Sequence, residues 1–407
     1  MGRFVIRGGK TLCGEVTVSG SKNAALPIIF ASLITHGVSE IYNLPDISDV
    51  RCALDIIKEF GAEVSICEGV AYINTANLEY RRPSDGKVSE LRASTYLLGA
   101  CLARFGRAEL QSFGGCNFSK RPIDMHIAAA TSFGARESCD ALISGALSAA
   151  YISFAKKSVG ATVNALIMAA AAEGESRIYG YAEEPHILTL IEYLRSAGAC
   201  IERSDGCLSV LGGKLHGGRI TIPGDMIEAG TFLAASLVTG GNVRVCGFDP
   251  AELSSFISPL VSAGVSSDIG SDNISLKGTP TCRMSIETSA YPGFPTDLQP
   301  IFAVIMARFF GGNIKETVWQ GRFGYLSELA KQGIRYSISD RGARIYPSVF
   351  VPSIARSTDL RGGAAAVLTA LCAEGESCVE SGELILRGYE RPDDKLRKIG
   401  ADVVYLT

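Results

Sequence analysis

The stretch TVNALIMAAAAEGESRIYGY, residues 162–181, decides the fold. Its first half is apolar nearly all round, so it reads as a helix buried on every side rather than one lying on a surface. Gly174 supplies the left-handed position that stops such a helix. From Ser176 to Gly180 apolar and polar residues then alternate, as in a half-buried strand. The same phrase recurs at 24–44, 94–113, 232–248, 301–318 and 365–382. A second phrase, a helix end followed by Gly, a small or apolar residue and a strand, recurs in step. It falls at Gly61 (FGAEVSI), Gly134, Gly198, Gly264, Gly333 and Gly400, with gaps of 73, 64, 66, 69 and 67 residues.

Six units of about 68 residues therefore account for the chain. Each reads as a strand, an apolar helix, a strand, an amphipathic helix and one or two further strands. The expected fold class is α/β, with helices buried inside and sheets outside. Periodicity alone leaves open one ring of six or two groups of three. No linker is rich in Pro, Gly or Ser, so a hinge between groups is expected to be short.

A chain of 407 residues has room for two or three domains of about 150, and 47% hydrophobic with 20% charged residues excludes a disordered chain. A net charge of -3 argues against nucleic acid as the main partner. No apolar run approaches the ~18 residues of a membrane helix; the longest, Ala24 to Ile34 and Ala165 to Ala172, read as buried helices. Met1 to Lys10 reads as a strand without the apolar core of an export signal, so a cytoplasmic location is expected. The 12 cysteines include no C-x-x-C pair and only four histidines accompany them, so no metal site is expected. Most cysteines are expected to be reduced, buried and packed as small hydrophobes. No phosphate loop, G-x-G-x-x-G, H-E-x-x-H or G-x-S-x-G motif occurs.

Polar residues collect where the six apolar helices begin: Lys22 and Asn23; Arg92; Ser158, Val159 and Gly160; Glu228; Thr296 and Asp297; Asp359 and Arg361. A helix N-terminus presents free N–H groups and partial positive charge, which bind anions. Capping accounts for Ser158, Thr296 and Asp359. It does not account for Lys22, Arg92 and Arg361, whose charges oppose the dipole; an anionic substrate would, or a solvated basic surface. The segment Gly114-Gly115-Cys116-Asn117-Phe118-Ser119-Lys120-Arg121-Pro122 places one thiol beside two cations in a glycine-rich loop. Neighbouring positive charge favours the thiolate and makes Cys116 a candidate acid or nucleophile. His126 reads as a structural or substrate-loop residue, and His36 and His216 as solvated.

Seven segments in register, SGSKNAALPI (19–28), LRASTYLLG (91–99), GGC…RPIDMHI (114–127), SVGAT (158–162), FPTDLQ (294–299), TDLR (358–361) and RGYER (387–391), resemble the UDP-N-acetylglucosamine enolpyruvyl transferase family, part of the EPSP synthase superfamily. The resemblance covers essentially the whole chain. It implies a two-domain inside-out α/β barrel of six βαβαββ-type repeats, three per domain. The implied division is 22–223 against 1–21 plus 224–407, with the active site in the interdomain cleft. It also implies a cytoplasmic transferase of peptidoglycan synthesis, and a target of fosfomycin, that moves the enolpyruvyl group of phosphoenolpyruvate to the 3-hydroxyl of UDP-N-acetylglucosamine and releases phosphate. Neither a cofactor, a metal, a nucleic acid nor a membrane is implied, and the oligomeric state is left open.

By the same resemblance, Lys22, Arg92, Arg121 and Arg387 hold the phosphate and carboxylate of phosphoenolpyruvate. Cys116 is the general acid at the methylene carbon and the site of a covalent adduct, and its loop closes over the cleft. Asp297 accepts the hydroxyl proton. Asp359 and Arg361 position the reacting groups, and Asn23 and Thr296 contact the sugar. Arg121, Pro122, Asp124, Met125, Lys156, Ser158, Val159 and Gly160 bind the nucleotide, with Val318 and Arg322 on the sugar side. The chain departs from the family at Met226, where Arg is usual, at His186 for Glu, at Gly324-Tyr325 for Met-His, and at Phe118-Ser119 for Ile-Gly. These departures keep open an enolpyruvyl transferase with another sugar-nucleotide or nucleoside acceptor. A non-catalytic ligand-binding relative is the third reading, against which Cys116, Asp297 and Arg387 argue. The related transferase acting on shikimate 3-phosphate fits less well, because SVGAT and the cysteine loop match the sugar-nucleotide branch.

Overall fold

The computed structural model describes residues 2–110, 114, 122–319, 321–340 and 342–407; Cys116, Lys120 and Arg121 lie outside these. Contacts divide the chain into two compact units, Gly20–Pro223 and Met1–Ser19 with Gly224–Thr407.

The unit Gly20–Pro223 contains three apolar helices, Lys22–Ala31, Leu97–Phe105 and Val159–Ala171. The other unit contains Met226–Val238, Gln299–Arg308 and Leu360–Cys372. Their composition dictates their position. Every residue from Ala161 to Ala170 is buried, and so is every residue from Ile227 to Val238. The intervening helices are amphipathic. Ser48–Glu59 buries Val50, Ala53, Leu54, Ile56 and Ile57 and exposes Arg51, Asp55 and Lys58, the spacing of a one-faced helix. Each unit has its own apolar core and three sheets. Helices inside and sheets outside is the architecture the periodicity predicts, and three repeats to a unit is the grouping the family resemblance implies. Gly106 ends Leu97–Phe105 with φ 70° and donates its N–H to Leu102 O at 2.9 Å. The six glycines of the second phrase all lie between φ 93° and 108°.

The repeat around Leu97–Phe105 departs from the expected pattern. Where a leading strand was expected, the helix Asp85–Glu90 and the 3-10 turn Arg92–Tyr96 stand, and the sheet has three strands. The segment Arg81-Arg82-Pro83-Ser84-Asp85-Gly86 offers no alternating apolar residues, and Pro83 has no N–H for a ladder.

The chain passes from one unit to the other after Ser19 and again after Pro223, and the strand before each passage pairs within the unit it leaves. Cys13–Thr17 precedes the helix Lys22–Ala31 in sequence, yet it pairs in parallel with Asn242–Cys246, Cys13 opposite Asn242. Arg219–Thr221 precedes Met226–Val238, yet it pairs in parallel with Val38–Tyr42, Arg219 opposite Glu40. The strand Arg3–Gly8 lies between Gly375–Glu380 and Asp402–Leu406, antiparallel to both, with Arg3 opposite Glu380 and Leu406.

The cysteines are less buried than expected. Of those described, only Cys101 is buried, and Cys13, Cys67, Cys139, Cys200 and Cys282 are exposed. Cys200 occupies a sheet strand in which its neighbour Ile201 faces the core, so alternation turns it to solvent, whereas Cys67 ends a strand with no buried residue.

Candidate active site

In the unit containing Gly224–Thr407, the segment Phe294-Pro295-Thr296-Asp297-Leu298 is pinned at both ends. Phe294 packs edge-on against Phe302, centroids 5.3 Å apart, and Leu298 is fully buried. Thr296 and Asp297 are thereby held in a 3-10 turn leading into the helix Gln299–Arg308. Two guanidinium groups grip the Asp297 carboxylate. Arg322 Nη1 lies 2.9 Å from Oδ1; Arg361 reaches Oδ2 with Nη2 at 3.0 Å and Nε at 3.1 Å. The arginine side chains are 5% and 2% exposed, whereas Asp297 keeps 29%. The carboxylate is thus the accessible member of the triad. Burial alone would raise its pKa; the charges of Arg361 and Arg322 outweigh that and hold it well below the usual carboxylate range.

Thr296 does not cap the helix, contrary to expectation. Its hydroxyl donates to Glu316 Oε2 at 2.9 Å and accepts from Arg322 Nη1 at 3.0 Å. Glu316 Oε1 in turn accepts from the N–H groups of Val318 and Trp319, both at 2.9 Å, so Val318 enters the site through its backbone. Asp359 caps Leu360–Cys372 by accepting from Arg361 N at 2.9 Å and Gly362 N at 3.1 Å, which also fixes where the Arg361 side chain starts. Arg361 stacks on Tyr389, its Cζ 5.3 Å from the ring centroid. Arg387 ends the 3-10 turn Gly382–Arg387, two residues before Tyr389. Tyr325 is 2% exposed, and its hydroxyl has no hydrogen-bond partner among the described residues. Burial raises its pKa well above the usual value, so it stays a neutral donor among the charges of Arg322, Asp359 and Glu316. Glu228, at another helix start, is fully engaged. It pairs with Lys395 Nζ at 2.5 Å and accepts from Ser19 N at 2.8 Å, and burial pushes its carboxyl up to about 7 against the pull of Lys395.

In the unit Gly20–Pro223, Lys22 begins its helix and lies 2.6 Å from Asp49 Oδ2. Asn23 follows it, half-buried. Ser158 caps Val159–Ala171, accepting from Ala161 N. His126, 6% exposed, fills the space beside that helix start. A Cβ on Gly160 would lie 2.8 Å from its Cε1 and 3.0 Å from its Nε2, so no side chain fits at Gly160. Asn164 holds the group together. Its Oδ1 accepts from Gly99 N at 2.9 Å, and its Nδ2 donates to Thr95 O at 2.9 Å and to His126 Nδ1 at 2.7 Å. An acceptor at Nδ1 means a neutral ring. Burial, then the charge of Arg92, lowers the His126 pKa to about 4. Arg92, the start of Asp124–Ser132 and the Ser158–Gly160 turn therefore form one neighbourhood. Pro122, Asp124 and Lys156 are exposed and Met125 is half-buried. Cys116 and Arg121 lie outside the described residues.

Asp49, Glu316, Asn164 and Tyr389 went unread in the sequence. Asn164 alone carried a signal there, as an amide in the middle of an apolar helix. His36, read as merely solvated, lies 2.8 Å from Arg104 through its Nε2. Among the described residues no helix is long and apolar enough to cross a membrane, and no group of three His, Cys, Asp or Glu could hold a metal.

The family model of EPSP synthase (3-phosphoshikimate 1-carboxyvinyltransferase) matches residues 6–396. The chain is 39% identical to UDP-N-acetylglucosamine 1-carboxyvinyltransferase 3 of Caldanaerobacter subterraneus subsp. tengcongensis, over 99% of both chains. It is 36% identical to UDP-N-acetylglucosamine 1-carboxyvinyltransferase 2 of Listeria monocytogenes, over 98% of this chain and 97% of that one. Among solved structures, the enolpyruvyl transferase NikO of Streptomyces tendae matches with a TM-score of 0.88 at 24% identity, covering 100% of this chain and 99% of that one. The EPSP synthase of Acinetobacter baumannii matches at 0.73 and 18% over 100% of both. At these identities the two structures speak to the fold alone.

Proposed function

The chain belongs to the EPSP synthase family of carboxyvinyl transferases, and on that premise we propose that it transfers the enolpyruvyl group of phosphoenolpyruvate to the 3-hydroxyl of UDP-N-acetylglucosamine, in peptidoglycan synthesis. The observation that carries this reading is the end-to-end similarity to carboxyvinyl transferases whose names specify that sugar nucleotide.

In this reaction the acceptor oxygen bonds to C2 of phosphoenolpyruvate while a proton is added at C3. The tetrahedral adduct then loses phosphate from C2 and the proton from C3, which restores the double bond. Cys116 delivers and retrieves the C3 proton, and its thiolate is the group that forms a covalent adduct. Asp297, the most accessible member of a buried charged triad, accepts the hydroxyl proton. Lys22, Arg92, Arg121 and Arg387 bind the phosphate and carboxylate; four cations match about three negative charges. Asn23, Thr296, Val318 and Arg322 face the sugar. Pro122, Asp124, Met125, Lys156, Ser158, Val159 and Gly160 take the nucleotide, where the capped helix start offers N–H groups to a diphosphate. Asp359 and Arg361 order the reacting groups.

A second reading keeps the chemistry and changes the acceptor. The buried Tyr325, close to Arg322, favours it, because it puts a phenol where the family usually has His. The test is phosphate release from phosphoenolpyruvate with a panel of hydroxyl acceptors. Release with UDP-N-acetylglucosamine supports the first reading, and release only with another acceptor supports the second. Cys116→Ala should abolish turnover and alkylation by the epoxide fosfomycin. Retained turnover would overturn the role of the thiol.

A further inference from the structure

The grip of Arg361 on Asp297 is itself supported from behind. Thr231 Oγ1 lies 2.8 Å from Ile227 O and 2.9 Å from Tyr389 Oη, with Thr231 and Tyr389 both buried. A hydroxyl has one proton, and Thr231 gives it to Ile227 O, the carbonyl one turn back in its own helix. The bond between the two hydroxyls therefore runs from Tyr389 to Thr231. That assignment fixes the tilt of the phenol ring, whose face lies under the Arg361 guanidinium, Cζ to centroid 5.3 Å. Arg361 cannot draw support from water, being 1% exposed. Its restraints are the Asp359-capped backbone, Tyr389 through its ring face and hydroxyl, the charge of Asp225, and Asp297 itself.

We propose that Tyr389, held by Thr231, is a positioning residue for Asp297: its ring fixes the buried Arg361 guanidinium so that Nε and Nη2 meet one carboxylate oxygen and leave the exposed side of Asp297 turned to the acceptor hydroxyl. A cation against a ring face in a desolvated setting is among the stronger contacts of its kind. The charged and titratable groups around this relay are Arg322 on the opposite oxygen of Asp297, Asp225 at the cap of Met226–Val238, and Asp359 at the cap of Leu360–Cys372. Asp225 acts on both Arg361 and Tyr389. None of these is removed by changing the ring. The inference rests on the proposed role of Asp297 as the group that meets the acceptor hydroxyl.

The test compares Tyr389→Leu, which deletes the ring, with Tyr389→Phe, which keeps the ring face but loses the hydroxyl that meets Thr231, and with a Tyr389→Phe/Thr231→Val pair, which removes the Thr231 hydroxyl as well. The Asp297 carboxyl is titrated by carbon NMR in the ligand-free protein, its resonance assigned with Asp297→Asn. Phosphate release from phosphoenolpyruvate and UDP-N-acetylglucosamine is followed against pH. Tyr389→Leu is expected to move the Asp297 midpoint up by about one pH unit and to lower kcat about tenfold, with both KM values within about twofold. Tyr389→Phe should recover most of the loss, and the double variant should fall between. A midpoint and a kcat unchanged in Tyr389→Leu would overturn the proposal. If Tyr389→Leu does not fold, the double variant decides on the same two readouts. Absence of turnover in the unaltered protein would count against the proposed reaction, while the NMR midpoint would still judge the relay.

Discussion

Lys22 Nζ stands 2.6 Å from Asp49 Oδ2, with the two side chains only 13% and 7% exposed. A cation proposed to bind phosphoenolpyruvate is thus already met by a carboxylate. The pair keeps Lys22 extended at its helix start, where the helix dipole alone would repel it.

Removing one partner of a buried ion pair costs more than removing both. Lys22→Met should lower unfolding free energy by about 3 kcal/mol in urea titration, and adding Asp49→Asn should recover more than half of it. Additive effects of the two substitutions would show that the pair is energetically silent.

Gly160→Ala puts a methyl group 2.8 Å from the His126 ring, which Asn164 holds from the other side. The ring must shift, which strains its bond to Asn164 Nδ2. We expect a loss of about 1–3 kcal/mol in stability and a raised KM for the sugar nucleotide, measured by initial rates. An unchanged KM would separate Gly160 from nucleotide binding.

Asp297→Asn removes the carboxylate that two buried guanidiniums share. Turnover should fall by about 10²–10⁴-fold, the usual worth of a positioned proton acceptor, and the thermal midpoint should drop. In the unaltered protein the Asp297 carboxyl is held low when folded, so its stabilisation is present above the unfolded pKa near 4 and disappears as pH falls further. Acid unfolding, followed by circular dichroism, should shift to higher pH where Arg361 or Arg322 is replaced by a neutral residue.

Glu228 behaves in the opposite sense. Its folded carboxyl titrates at about 7, above the unfolded value near 4.3, so the folded state binds the extra proton between those limits. Its contribution to stability grows as pH falls from about 7 towards 4. Glu252 shares the trend, pushed to about 7 by burial, then Asp249 and Asp225. Glu228→Gln should flatten the rise in urea midpoint between pH 7 and pH 5 without abolishing it. A slope identical to that of the unaltered protein would rule out Glu228 as its source.

The architecture was legible because two periodic features reported it independently. An all-apolar helix has nowhere to go but inside, and a helix-ending glycine recurs where the chain must turn. The polar helix starts were legible as a class, but their individual duties were not. Thr296 carries the composition of a cap and instead bridges Glu316 and Arg322, because Arg322 arrives from a segment 26 residues later. Asp49 looks like any acidic first-turn residue until the fold brings Lys22 to it. The Tyr389 ring lies in a segment chosen for its neighbouring arginine, and only the packing shows which cation it serves. Cys200 was misread because local apolar composition does not reveal which face of a strand a residue takes, and Cys139 and Cys282 because they fall in a turn and a bend outside the strands.

The strand Arg3–Gly8, seated between Gly375–Glu380 and Asp402–Leu406, bears on the order of synthesis. Phe4 and Ile6, 1% and 0% exposed, find the strands that flank them only after about 370 further residues have left the ribosome. The unit Gly20–Pro223 is continuous and emerges whole, so it can close while translation proceeds. The other unit must hold its opening strand in reserve until the final one arrives. Nascent chains stalled before residue 375 should therefore carry one protease-resistant half and one open half.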